Sequence, residues 1–575
     1  MDLPRKDDDK MAGSMLEHMT PEQVFLVKQA MEEMDRHYDE AKHLLRNAED
    51  GRSEWHSTRG SAHYAVGLLI RNGEGDTERA CAVLNEVLNL QLDAPDEIFH
   101  GTFKTAPQAA DPPRGGYPWK RFGPGFAYYV TSLLEKISGH LAEELGAAGN
   151  GKINVSRKKA EDALARAADR VIPPVWRSYD PNWREFIACA FAVILEHFEP
   201  RLPRELVQRM DDAMVKAVTG SIDRRLSDAV PMNTNIELMH LFITHYYGYR
   251  YGNEAWIRHA DGEAERFLEE FHEFGTLAEF NSTTYYGVDL TVLGLIRKYA
   301  RTDRFKTIGH TIEQALWETI ALFYHPGLEN MAGPYARAYE MEMTAHSSLG
   351  VFLYLAFGER FKHLAGVNCE TGHDPIIALV GVDVPEPVKP KLLGEPEERR
   401  VTRQYRELCE RDQPGKNRFV CTATAWLGRN LMIGACSGSR NTNGQLHPAT
   451  IHWQSEDGGR YALRLIRREP EGSWNTHLRG YYVEAEASPG KLTASVILEQ
   501  DRPLDVYFEV CGPAVTATGV TPTSWSFPGL ALRVEAAAPE PIIRERDGCV
   551  EIIYPYRPGA PEAVSHMEFK LEVTP

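Results

Sequence analysis

The stretch PEPVKPKLLGEPEERR, Pro385–Arg400, divides two kinds of sequence. Its four prolines and eight charged side chains suit a connector, because proline supplies no backbone N–H and dense charge has nothing to bury. Upstream, apolar residues recur every three to four positions. PEQVFLVKQAMEEMDRHYDEAKHLL, ERACAVLNEVLNLQL, WREFIACAFAVILEHF, RELVQRMDDAMVKAVTGSI, IELMHLFITHYYGYR and IGHTIEQALWETIALFY read as successive amphipathic helices. Downstream, short runs rich in Val, Ile, Thr and aromatics take over: RFVCTATAWL, LMIGAC, ATIHWQ, YALRLI, YYVEAEA, LTASVIL, LDVYFEV, CVEIIYPY and MEFKLEV. They are separated by turn signals such as SPG and EDGG, the pattern of an antiparallel sandwich. The fold class expected is α then β. An N-terminal (α/α) toroid, an incomplete barrel over 20–372, passes through a connector at 373–400 into an antiparallel β-sandwich over 401–575.

Composition narrows the function classes. Hydrophobic residues make up 43% and charged residues 25% of the 575, which describes a globular protein of more than one domain. The formal net charge of −18 argues against nucleic acid as a partner, since such binding depends on neutralising phosphates with Lys and Arg. No apolar run reaches the roughly eighteen residues of a membrane span, so no membrane partner is expected. The eight cysteines are scattered without a CxxC or a Cys/His metal spacing, so neither a disulfide framework nor a metal site is expected, and a reducing, cytoplasmic setting fits better than secretion. MDLPRKDDDKMAGSMLEHM, residues 1–19, reads as an expression leader that can stand in place of a native signal peptide.

Four loops in the helical part and one in the β part gather hydrogen-bonding side chains. PRGGYPWKRFGPG, Pro113–Gly125, sets Trp119 as a stacking face beside Lys120 and Arg121, although a packed indole with solvated cations explains it equally. PMNTNIELMH, Pro231–His240, places Asn233 and Asn235 at the mouth of a helix, where one asparagine is an ordinary cap and two call for more. GTLAEFNSTTYYGVDLTVLGLIRKYA, Gly275–Ala300, crowds Asn281, Tyr285 and Tyr286 at a helix entrance; capping by Asn281 or Ser282 is the plain alternative. MAGPYARAYEMEMTAH, Met331–His346, alternates Tyr335, Arg337 and Tyr339, which can aim three polar groups at a cleft or pack two tyrosines under an arginine. RNTNGQLHPATIHW, Arg440–Trp453, carries Arg440 and puts His447 at the end of a polar loop just before a strand.

In chain order these pieces resemble the heparinase II/III-type and oligoalginate polysaccharide lyases. MNTNIEL resembles that family's Asn- or His-rich helix opening, GTLAEFNSTTYYGV its Ser-Pro-x-Tyr-like turn with Tyr285 in the tyrosine place, and HPATIHW its histidine segment with His447 first. Two positions depart: Thr283 stands where the family has proline, and Ala449 where it has aspartate. The resemblance implies metal- and cofactor-independent β-elimination on an anionic, uronate-containing poly- or oligosaccharide. Tyr285 would be the acid and could serve as base as well, His447 would be the base from the second domain, and Asn235, supported by Asn233, would neutralise the uronate carboxylate. Tyr286, Asn281, Tyr335, Arg337, Tyr339, Arg440, Trp119, Lys120 and Arg121 would grip the neighbouring sugars.

Two other readings share the residues. A helical-toroid glycoside hydrolase would draw a carboxyl pair from Glu237, Glu279, Asp289 and Glu342. A non-catalytic glycan binder would need only the aromatic platforms.

Overall fold

The computed structural model of the chain describes residues 15–47, 55–112, 178–227, 232–407, 419–441, 444–470, 472–478, 480–559 and 564–574. Of the expected leader, residues 1–14 lie outside the described residues and Met15–His18 form a single 3-10 turn. Helices come first: α1 (Pro21–His37), α2 (Thr58–Arg71), α3 (Asp76–Asn89), α4 (Trp183–His197), α5 (Arg204–Ser227), α6 (Thr234–Tyr251), α7 (Glu254–His272), α8 (Tyr286–Tyr299), α9 (Asp303–Phe323) and α10 (Leu349–Phe357). Antiparallel strands follow from Arg399 onward, as the change of periodicity predicts. Among the described residues no helix is long and apolar enough to cross a membrane.

Local chemistry accounts for the helix limits. Thr20 caps α1: its hydroxyl accepts from Gln23 N, Gln23 Oε1 accepts from Thr20 N at 2.7 Å, and Pro21 sits at the first position, where a missing N–H costs nothing. Leu26, Val27, Ala30, Met31 and Met34 form its buried stripe at three- and four-residue spacing. The helix α4 is buried all round from Arg184 to Leu195, the pattern of a helix surrounded by others.

The described residues form two compact units. The first holds Met1–Met232, Met239–Ala260 and Gly372–Leu379; the second holds Asn233–Leu238, Asp261–Thr371 and Val380–Pro575. Inside the first unit, α4 packs against α2 and α5. There a polar chain runs through the core. Glu185 Oε1 accepts from Ser221 Oγ at 2.7 Å, Ser221 Oγ meets His240 Nδ1 at 2.8 Å, and His240 Nε2 meets His259 Nε2 at 2.9 Å.

The second unit contains the sandwich. Its strands are β1 (Arg399–Arg406), β2 (Val420–Leu427), β3 (Leu431–Ser437), β4 (Ala449–Gln454), β5 (Arg460–Arg468), β6 (Tyr481–Ser488), β7 (Lys491–Leu498), β8 (Leu504–Cys511), β9 (Ser524–Phe527), β10 (Leu530–Ala537), β11 (Ile542–Arg546), β12 (Cys549–Tyr556) and β13 (His566–Val573). One sheet has eight strands in the order β11-β12-β8-β5-β4-β3-β2-β1, the other five in the order β6-β7-β13-β10-β9. Along β7 every second residue (Leu492, Ala494, Val496, Leu498) is buried. These side chains join Ile451, Leu463, Val506, Phe508 and Ile552 of the larger sheet in one core.

Helical segments of this unit lie on the larger sheet. Phe280 stacks on Tyr405 with centroids 4.7 Å apart, Thr276 Oγ1 donates to Gln404 O at 2.8 Å, and His325 Nε2 meets Gly428 O at 2.7 Å. Backbone meets backbone at Gly434 in β3, where an added Cβ would lie 1.9 Å from Gly333 O. Only glycine lets the segment after Met331 approach the sheet so closely.

The cysteines differ from expectation in one respect. Cys511 and Cys549 face each other across β8 and β12, with Cα atoms 4.4 Å apart, and form a disulfide. Their 38-residue separation hides a neighbour relation that only the strand register creates.

Candidate functional site

The site is built from three segments of the second unit: the start of α6, the turn into α8, and the loop from Met331 to His346. Four consecutive polar residues, Asn281 to Thr284, lace the last two together. Asn281 Nδ2 donates to Ala332 O (2.6 Å) and Pro334 O (2.9 Å), and Ser282 Oγ donates to Arg337 O. Thr283 Oγ1 donates to Glu340 O at 2.6 Å, and Thr284 Oγ1 accepts from Tyr339 N at 3.0 Å. The clamp explains why this helix entrance is so polar. Ser282 also caps the turn, accepting from Tyr285 N at 2.9 Å.

From its other side the loop is held by the β region. Tyr335 N donates to His447 O at 3.1 Å, His447 N to Tyr335 O at 2.9 Å, and Ala338 N to Gln445 O at 2.9 Å. Fastened on both sides, the loop presents Arg337 and Tyr339 to Tyr285. The Arg337 guanidinium lies 4.3 Å from the centroid of the Tyr285 ring, and the Tyr285 and Tyr339 rings are 6.4 Å apart.

Beneath them Glu279 is wholly buried and fully engaged. Its Oε2 accepts from Asn235 N at 3.0 Å and from Asn235 Nδ2 at 2.7 Å, while Oε1 accepts from Arg337 Nη1 at 2.7 Å. A buried carboxylate is tolerable only when paired in this way. Asn235 therefore spends an amide hydrogen on Glu279, which in turn fixes the guanidinium. Asn233, 8% exposed, supplies the carbonyl that accepts from Ile236 N and Glu237 N at the start of α6.

Tyr285 is the half-buried phenol of this group; burial pushes its hydroxyl well above the ordinary phenol range, outweighing the opposite pull of Arg337. It therefore stays protonated at neutral pH, the state of a proton donor. Glu340, next to Tyr339, is half-buried; desolvation raises its carboxyl above the usual range, against the attraction of Arg464 and His346.

Several expected ligand contacts are corrected by burial. Asn281, Tyr286 and Tyr335 are 0% exposed, so no sugar touches them. Asn281 is the clamp, Tyr286 Oη accepts from Asn281 N, and Tyr335 Oη donates to Met331 O at 2.6 Å. His447 is likewise 0% exposed: its Nε2 meets Ala338 O at 2.9 Å, which fixes the proton on Nε2 and leaves Nδ1 bare. Burial and the charge of Arg464 push its imidazole down to about 3. It belongs to the same unit as Tyr285 yet is sealed under the loop, and the backbone carbonyl of Ala338 takes the orienting place of the aspartate that Ala449 replaces. Arg440 pairs with Glu484 at 2.8 Å and lies over Tyr482, on strand residues rather than on the loop. Trp119, Lys120 and Arg121 lie outside the described residues.

Carboxyls that a hydrolase would pair are committed elsewhere. Glu237 faces Arg266 at 3.2 Å and Glu279 is locked as described. Asp289 is fully buried with both oxygens lacking hydrogen-bond partners, and burial pushes it well above the carboxylate range into the neutral form. Glu342 accepts from Thr344 N at 2.8 Å in its own turn.

Two side chains join the neighbourhood without having been read from the sequence. Glu340 sits inside the quoted loop, one acid among the chain's 82. Trp474, half-buried, stands 5.5 Å from the His447 ring with the Arg464 guanidinium 4.3 Å from its own centroid. It follows Glu-Gly-Ser in the sequence, and an isolated tryptophan beside such small polar residues is the signal that would have found it.

Comparison with known proteins gives the following. No curated protein matches the sequence. Among solved structures, a heparinase III gene product is similar over 99% of this chain and 87% of its own, with a TM-score of 0.33 and 8% identity. A heparan sulfate lyase mutant from Pedobacter heparinus is similar over 88% and 90%, with a TM-score of 0.25 and 8% identity. The chondroitin AC lyase of Streptomyces coelicolor, in complex with chondroitin sulphate, is similar over 96% and 100%, with a TM-score of 0.24 and 9% identity. A sequence profile described as a domain of unknown function, DUF8769, matches residues 24–134 and 157–374, more than half of the chain, and the protein belongs to that family.

Proposed function

We propose that this protein is a polysaccharide lyase that cleaves a uronate-containing glycan by β-elimination. The observation that carries the reading is the phenol of Tyr285 under the guanidinium of Arg337, itself held by Glu279 and, through it, Asn235. Elimination removes the C5 proton of the uronate, forms the C4–C5 double bond and breaks the bond from C4 to the leaving oxygen. The carboxylate beside C5 must be neutralised before that proton becomes acidic, and Arg337 is the cation that meets this demand. Tyr285, kept protonated, donates its proton to the departing oxygen.

Glu340 takes the C5 proton. A carboxylate whose pKa is raised by burial is a stronger base than one in water, and it lies one residue beyond Tyr339 on the clamped loop. The base role that the family resemblance implies for His447 is disfavoured by its burial. Trp474 and Tyr339 offer flat faces for sugar rings.

The reading is tested by incubating the protein with a panel of polyuronates and glycosaminoglycans and recording ultraviolet absorbance together with reducing ends. New reducing ends accompanied by the absorbance of a conjugated unsaturated uronate support elimination. Reducing ends without that absorbance would point to hydrolysis and return attention to carboxyl pairs.

A further inference from the structure

Below the loop that carries Tyr339, three side chains of different chemistry converge. His346, Cys369 and Glu370 each offer one ligand atom, and these atoms all lie within 4.8 Å of one another. Cys369 Sγ is 2.7 Å from His346 Nδ1 and 3.9 Å from Glu370 Oε1. All three residues are half-buried, so solvent and an ion can reach them. Among the described residues this is the one group of three or more such ligands.

We infer that His346, Cys369 and Glu370 form a binding site for one divalent transition-metal ion of the zinc class. The donor set decides the class: thiolate and imidazole favour zinc-like ions over magnesium or calcium, which prefer oxygen throughout. Three protein ligands leave a fourth position to water. Tetrahedral bonds of about 2.3 Å to sulfur and about 2.0 Å to nitrogen put those two atoms roughly 3.5 Å apart. Binding therefore spreads the Cys369–His346 contact by somewhat less than 1 Å and displaces the thiol proton to solvent.

The surroundings suit such a site. Glu370 N donates to Asn368 Oδ1 at 2.9 Å, Asn368 N to Thr371 Oγ1 at 2.8 Å, and Asn368 Nδ2 to Ser347 O at 3.2 Å, so the two ligand-bearing loops are already tied together. His346 holds a left-handed backbone (φ 45°), a conformation that non-glycine residues adopt at a cost. The His346 ring packs on Tyr339 at 5.2 Å, and Ser347 Oγ donates to Thr283 O at 2.8 Å. An ion here would lock the loop under Tyr339. The inference stands independently of the lyase reading.

The full-length protein, stripped with a chelator, is titrated with cobalt(II) and followed by absorption spectroscopy. One equivalent is expected to bind with a thiolate-to-cobalt charge-transfer band and the visible bands of a four-coordinate ion. Cys369→Ser and His346→Ala should abolish the charge-transfer band, Glu370→Gln should weaken binding roughly tenfold or more, and Cys81→Ser should change nothing. Zinc should raise the melting temperature of the wild type and of Cys81→Ser but not of Cys369→Ser. Should Cys369→Ser fail to fold, alkylation of the wild type answers instead: zinc should protect Cys369, read by peptide mass. No cobalt binding, a charge-transfer band that survives Cys369→Ser, or a Cys369 thiol that zinc leaves unprotected would each overturn the site.

Discussion

Each of the two units buries a chain of polar side chains, and the two chains end differently. In the first unit Glu185, Ser221 and His240 are at most 1% exposed, and their chain ends on a half-buried His259. In the second unit Asn235 and Glu279 are as deeply buried, but their chain ends on Arg337 and a half-buried Tyr285. The first chain ends on a histidine pair that joins α6 to α7. A relay that delivers a cation and a phenol to solvent can also act on something, and the contrast defines which polar residues to alter.

The largest expected effect is on chemistry alone. Tyr285→Phe should lower turnover on the true substrate by about 10²–10⁴-fold, the usual contribution of a positioned acid, with the melting temperature nearly unchanged. Glu340→Gln should fall in the same range. More than half the wild-type rate in either variant would remove that residue from the mechanism.

Arg337→Ala should break both halves of the open relay. It leaves the Glu279 carboxylate buried without its cation, a loss of about 3–5 kcal/mol by analogy with other buried pairs, and it removes the group beside the uronate carboxylate. Denaturant unfolding and turnover should both suffer. Stability within about 1 kcal/mol of wild type would mean that Glu279 is not charged as the pairing implies.

Altering the first unit's chain should separate the two properties. Ser221→Ala removes one bond to Glu185 and one to His240, costing about 1–3 kcal/mol for buried groups left unsatisfied. Turnover per folded molecule should stay at the wild-type value. A large loss of rate with little loss of stability would show that the first unit carries chemistry after all.

How far the sequence foretold this contrast follows from what kind of information each feature needs. The helix-to-strand change around Pro385–Arg400 is a matter of period, and periodicity survives without coordinates. The polar run Asn281–Thr284 was visible too, but its work is not local capping, Ser282 apart: its partners lie 51 to 57 residues on, in a loop whose path the sequence does not disclose. Alternation in Tyr335, Arg337 and Tyr339 allows three groups aimed at a cleft or two tyrosines packed under an arginine. The loop is fastened on two sides, so Tyr335 turns into the core while Arg337 and Tyr339 turn to Tyr285. Cys369 and His346 stand 23 residues apart with no metal-site spacing, and Cys511 with Cys549 needs strand register; such pairs are set by tertiary structure alone.

The sharpest expected effect on pH dependence concerns His447. It is buried neutral, with a folded pKa pushed down to about 3 against an ordinary 6.5. In the unfolded chain the imidazole takes up a proton below about pH 6.5, while in the folded protein it does not until about pH 3. Between those values the unfolded state binds more protons, so stability is fully present above about pH 6.5 and is lost as the pH falls, by about 1.4 kcal/mol per unit for this one group. His447→Gln keeps a hydrogen-bond donor for Ala338 O and removes the titration. Unfolding free energies measured from pH 7 down to pH 4 should therefore fall less steeply in the variant than in the wild type. Turnover at pH 7 should change by less than tenfold, since the ring is sealed under the loop. A loss of about 10²–10⁴-fold instead, with the acid limb of stability unaltered, would restore the histidine to the role of base and require the Tyr335–Tyr339 segment to lift during the reaction.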